Sequence, residues 1–339
     1  MSMTRRNLLA VLIASIAGGA AAARAAENKH DLYFCVNLSG QGQVMGSTAA
    51  IKSGLYRSND RQNFEHVGFS HIRTFAATYD PREPDTLFVS VLDGVLRGQD
   101  RGKTWRRMTG WDMTEPKAIE FDPNAPDHIY AGLPDGIAVS QDRGETWRRM
   151  NEGIQRGYTH SLMVDRTKAG RVLAGTELGI YLTDDGARTW RLVQPTSKVV
   201  YDIRQSPHDP KTMLAVTSSE GAFRSEDAGR TWRKIGGVPS EHTLHFGHFD
   251  PSDARRLVIC GWDAGVLVSE DGGRTWIDRT NGLPNRQIWC VSPDPDFPNR
   301  LYAAPYLKPV HVSDDFGRTW RPLCFEKAIV YNLMFVPRR

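Results

Sequence analysis

Residues 118 to 150 read AIEFDPNAPDHIYAGLPDGIAVSQDRGETWRRM. Four short apolar or alternating runs are separated by an Asp-Pro turn, an Asp-Gly turn and the octapeptide SQDRGETW. Runs this short, bounded by turn residues, predict strands, and no stretch of the unit carries helical periodicity. We label the strands A, B, C and D in chain order.

The octapeptide recurs. SEDAGRTW begins at Ser225, SEDGGRTW at Ser269 and SDDFGRTW at Ser313. GQDRGKTW at Gly98 lacks the serine, TDDGARTW at Thr183 shifts the glycine, and SNDRQNF at Ser58 is a shortened copy. The closing aromatics are Phe64, Trp105, Trp147, Trp190, Trp232, Trp276 and Trp320, spaced by 41, 42, 43, 42, 44 and 44 residues. A period of that length with four strands per unit predicts the blades of a β-propeller.

Within each unit the octapeptide is the C-D hairpin loop. Its aspartate is placed to accept backbone hydrogen bonds, its glycine supplies a left-handed conformation and its tryptophan an apolar plug. The motif resembles the Asp-box, or BNR, repeat of sialidases and other β-propellers, and the resemblance covers residues 32 to 339. It implies that the octapeptides lie on the rim, remote from a ligand site, and so that all seven aspartates serve architecture.

The chain ends complete the ring. DLYFCVN, SGLYRS and FEHVG near the start are B, C and D strands without an A, and AIVYNLMFVPRR at the end is an A strand without partners. Joining them closes the circle and leaves no exposed edge. The fold class is therefore all-β: a single seven-bladed β-propeller of four-stranded antiparallel blades over residues 26–339, closed by N- and C-terminal strands in one blade.

Because strands alternate direction, the D-A and B-C loops share the face opposite the octapeptides, and that face is where a ligand is expected. The A strands align on the proline of the turn that follows them: Pro81, Pro123, Arg166 (the one departure), Pro207, Pro251, Pro295 and Pro337. Four residues earlier stands an apolar layer; six residues earlier stand Phe75, Lys117, His160, Tyr201, His245, Trp289 and Tyr331. A regular strand puts both columns on one side. The outer column is the candidate site. Tyr201, Trp289 and Tyr331 would stack on a ligand, Lys117 and Arg73 would hold an anionic group, and His160 or His245 with Asp202 would transfer protons. Tyr158 and His242 adjoin them. Asp93, Asp135, Glu177, Glu220 and Asp263 lie in the B-C loops, where acids before glycine serve turns equally well.

Composition narrows the chemistry. The net charge is +4 over 339 residues, and Arg5, Arg6 and Arg24 leave +1 for the rest. A balance so near zero argues against nucleic acid or anionic membranes as partners. The first 25 residues have a charged start, an apolar run and a small-residue end, and Thr4-Arg5-Arg6 with Leu8-Leu9 resembles a twin-arginine signal. Export to the periplasm or beyond, with no membrane span after cleavage, is the expectation. Cys35, Cys260, Cys290 and Cys324 are then free to pair, or serve as buried small residues. His242, His245 and His248 invite a divalent metal, but a regular strand sends His245 and His248 to opposite faces. No motif names a cofactor.

The resemblance implies three functional directions. Sialidases carry an Arg-Ile-Pro signature and six blades, and this chain has neither. Xyloglucan hydrolases pair two rings around a cleft, and here there is one. Photosystem-assembly propellers are single exported rings that bind protein. Two readings stand: a monomeric propeller binding a small polar or glycan-like ligand, with hydrolase or lyase chemistry in reach, and a non-catalytic factor docking a periplasmic or membrane protein.

Overall fold

The computed structural model describes residues 28–43, 52–68, 70 and 73–339. The expected signal segment, residues 1–25, lies outside them. Every described element is a β-strand, and the strands form seven four-stranded antiparallel sheets. No helix among the described residues is long and apolar enough to cross a membrane. Blade 1 combines His30–Gln43, Gly54–Ser58 and Glu65–Val67 with the final strand Glu326–Pro337, which pairs antiparallel to the first. The A strands of blades 2 to 7 are Thr74–Asp80, Ala118–Phe121, Thr159–Val164, Val200–Gln205, Thr243–Phe249 and Ile288–Pro293.

The core lies between blades rather than within one layer. Ala118, Tyr130 and Ile137 of blade 3 pack on Leu162, Val172 and Tyr181 of blade 4, and corresponding clusters fill the other gaps. Blade sheets are therefore buried on both faces, which is why the B strands read as continuous apolar runs such as Ile129–Leu133. Burial of each large side chain there stabilises the fold by about 1.5–3 kcal/mol.

The octapeptide turns are clamps. Asp271 Oδ1 accepts from the backbone of Arg274 and Thr275, both at 3.0 Å, while the Thr275 hydroxyl donates to Oδ2 at 2.6 Å and the Ser269 hydroxyl to Oδ1 at 2.9 Å. These bonds, the Thr275 hydroxyl first, hold its carboxyl well below the usual carboxylate range. Asp142, Asp185, Asp227 and Asp315 repeat the arrangement, and Asp60 accepts from Gln62 and Asn63. Positive φ at Ala228 (60°) and Gly229 (80°) shows the pair of left-handed residues that brings the turn back.

Asp100 corrects the expectation for all seven. Among the described residues it accepts no hydrogen bond. Gly98 supplies no hydroxyl where the other turns have Ser or Thr, and Asp100 itself takes a left-handed φ of 51°. Its turn closes on backbone bonds to Gln99 O instead.

Ring closure draws on the shortened copy. Arg61, nearly fully buried, donates to Asp294 at 2.9 Å, to Asp296 at 2.9 Å and to His30 O at 2.8 Å. A degenerate turn in blade 1 thus ties it to blade 7.

Candidate functional site

Six members of the outer column occupy one backbone irregularity. In blade 4 Thr159 pairs with Thr176 and Ser161 with Gly175, which leaves His160 as the extra residue of a β-bulge. Tyr201, His245, Trp289, Phe75 and Tyr331 stand at the same break in their strands. Lys117 precedes its strand, anchored by its N–H to Gly132 O at 2.7 Å. Bulges re-aim side chains, so strict alternation, the basis for placing this column on the side of the apolar layer, does not hold here. The same bulge overturns the regular-strand premise used to separate His245 from His248.

The column closes into a necklace round the channel mouth. Ring centroids are 5.9 Å apart for Phe75 and Tyr331, 5.0 Å for Tyr331 and Trp289, and 4.7 Å for Trp289 and His245. The series continues with 5.3 Å for His245 and Tyr201 and 4.5 Å for Tyr201 and His160. Lys117 Nζ sits 3.9 Å from the Phe75 ring centre and 3.0 Å from Glu115. Tyr158 stands 5.7 Å from His160. Below lies a cavity of about 260 Å³ whose lining includes Arg73, Lys117, Tyr158, His160, Tyr201, Asp202, His245, Trp289 and Tyr331.

Burial, then the Lys117 charge and His245, holds the His160 imidazole down to about 4; burial does the same to His245, against its bond to Ile288 O. Both rings are neutral bases at physiological pH. Asp202 is raised by burial, opposed chiefly by Arg204, and its carboxylate accepts from Arg204 Nε at 3.0 Å and Gly247 N at 3.2 Å.

His242 is outside the cavity lining: its side chain is 35% exposed and 3.8 Å from Glu241. The rim acids bind their own surroundings, Asp135 with Arg149 at 3.1 Å, Asp93 with Arg107, Glu220 with Ser197 and Asp263 with Gln287. Tyr158 feels the Glu177 charge. All four cysteines are buried free thiols. No three His, Cys, Asp or Glu side chains among the described residues converge to hold a metal ion.

Three residues before the anchor, the alignment places Thr78, Glu120, Met163, Arg204, His248, Ser292 and Met334. Thr78, Glu120, Met163 and Arg204 of this column form the channel waist, and sequence reasoning passed them over although the same counting reaches them. Glu120 and Arg204 line both the mouth cavity and a second one, of about 290 Å³, toward the octapeptide end. Burial and, less, Asp202 push the Glu120 carboxyl up to about 7, against the pull of Arg204. His248 lies flat against Phe246, centroids 6.2 Å apart, and burial with the Arg204 charge keeps it neutral.

No protein-family model and no curated protein matches the chain in sequence. Solved structures match in fold. The GH74 xyloglucanase from Xanthomonas campestris aligns with a TM-score of 0.66 at 15% identity, over 87% of this chain and 56% of its own. YCF48 bound to D1 peptide aligns at 0.59 and 17%, over 78% of this chain and 93% of its own. An ancestral GH74 enzyme aligns at 0.54 and 19%, over 60% of this chain and 30% of its own. The chain thus spans little more than half of one GH74 enzyme and under a third of the other. Identities this low establish a shared propeller fold and nothing finer.

Proposed function

We propose that this propeller binds a small, ring-bearing polar ligand of the saccharide class at the channel mouth, in the exported compartment to which the twin-arginine-like start points. The necklace of Tyr201, Trp289, Tyr331 and Phe75 with the imidazoles of His160 and His245 carries the reading. Aromatic faces gathered round a cavity of about 260 Å³ suit the apolar face of one sugar ring. Lys117 and Arg73 supply positive charge at the rim. The neutral imidazoles are bases within reach, so hydrolysis or elimination is chemistry open to a bound ligand.

Calorimetric titration of neutral and acidic monosaccharides and disaccharides tests it. Trp289→Ala and Tyr201→Ala should each weaken binding about tenfold, from loss of a stacking contact, with unfolding midpoints little changed. Binding indifferent to both substitutions, or no binding across the panel, would sink the reading.

One observation favours protein docking instead. Trp111 is 82% exposed in the loop that leads to Lys117, while Met113 anchors that loop in the core. A protein complex lost on Trp111→Ala yet untouched by Trp289→Ala would support docking, the mode named for YCF48 with its peptide.

A further inference from the structure

Three cationic side chains line the mouth cavity: Arg73, Lys117 and Arg204. Lys117 is engaged by Glu115 and by the Phe75 face, and Arg73 lies exposed at the rim. Arg204 differs. Its Nε edge is held by Asp202 at 3.0 Å, yet among the described residues neither Nη group has a hydrogen-bond partner. Its side chain is 32% exposed, although it sits at the waist. Glu120, from blade 3, reaches the same waist, and its carboxyl also lacks a hydrogen-bond partner among the described residues.

We propose that the waist is a carboxylate-reading subsite: Arg204 receives the acid group of a ligand through its two free Nη groups, and the Glu120 carboxyl donates a hydrogen bond to that group. This deepens the mouth reading, on which it rests, by making the ligand an acidic sugar such as a uronic acid. A guanidinium is planar and offers two edges, so it bridges one fixed carboxylate and one arriving carboxylate. The cavity of about 260 Å³ has room for one ring above the waist with its acid group directed down.

The groups that face Glu120 are Arg204 and Asp202 from blade 5 and Tyr79 from blade 2. Those that face Arg204 are Asp202, Glu120, Cys290 and His248. His248 and Cys290 are both uncharged at neutral pH, so Glu120 sets the local balance. Protonated, it is a donor beside the incoming carboxylate; ionised, it is a like charge. Binding therefore requires the proton. Affinity is flat below about pH 7 and falls about tenfold per pH unit above it.

D-glucuronate and acetate are the probes and D-glucose the neutral control, followed by calorimetry and ligand-observed NMR from about pH 5.5 to about pH 8.5. Glucuronate should bind at least about tenfold tighter than glucose, in keeping with a charge-assisted bidentate pair. Glu120→Gln should remove the pH dependence, and Arg204→Gln should reduce glucuronate to the level of glucose. If the single variant fails to fold because Asp202 is orphaned, the double variant Asp202→Asn/Arg204→Gln takes its place. Acetate binding as tightly as glucuronate, and lost in the Arg204 variants, supports the subsite with a free small acid as its ligand. Neither acid binding, or glucuronate preference surviving in the Arg204 variants, overturns the subsite. Failure of the mouth reading looks different: Trp289→Ala leaves both sugars unaffected while acetate still depends on Arg204.

Discussion

Replacing Glu120 by Gln should make the protein more stable, and more so the more alkaline the solution. The carboxyl is raised from its usual 4.5 to about 7, by burial first and Asp202 second. In the unfolded chain it ionises near 4.5; in the folded protein it keeps its proton until about 7. Between those limits the native state binds more protons than the unfolded one, so stability falls as pH rises, and above about 7 the full penalty is in place. At about 1.4 kcal/mol per pH unit the penalty is about 3.5 kcal/mol. Because Glu120 borders a channel open to solvent, screening brings it to about 2 kcal/mol. Gln has the shape and neutrality of the protonated acid and never ionises. The stability difference between variant and wild type, from urea unfolding with m unchanged, should be near zero around pH 4.5 and grow to about 2 kcal/mol by pH 8. A difference constant with pH, or one that grows as pH falls, refutes the placement of Glu120 in a half-buried waist beside Asp202.

The mouth histidines should titrate near 4 by NMR of their ring protons, below the ordinary 6.5. Their stabilising contribution is present above about 6.5 and lost as pH falls through about 4; a midpoint near 6.5 for either ring would contradict the burial that holds it down. Arg61→Ala leaves Asp294 and Asp296 buried and without their guanidinium, and should cost about 3–5 kcal/mol in urea unfolding; a loss below about 1 kcal/mol would mean blade 1 is closed by other contacts. Asp227→Ala removes the acceptor for Arg230 N, Thr231 N and two hydroxyls and should cost about 1–2 kcal/mol with ligand binding unchanged. Asp100→Ala, which removes no such bond, should be near neutral. Equal effects at the two positions would show that the turn clamp is not the source of the loss.

Sequence alone determined the architecture, because a propeller is a sum of local patterns. Strand alternation, Asp-Pro turns and the Ser-x-Asp-x-Gly-x-Thr-Trp octapeptide each report bonds made within a few residues, and their repetition counts the blades. Aligning A strands on Pro81 and its counterparts also reached His160, Tyr201, His245 and Trp289, since blades of one design put equivalent residues at one height. Tertiary structure decided what faces what. The bulges that turn this column toward the channel depend on how each A strand pairs with its B strand, and no residue type announces them. His242 was placed by a loop path that neighbouring blades set. Glu120 and Arg204 belong to blades 3 and 5 and line the same cavities only because the ring closes. Their charges then depend on burial and on one another, which no local stretch of sequence contains.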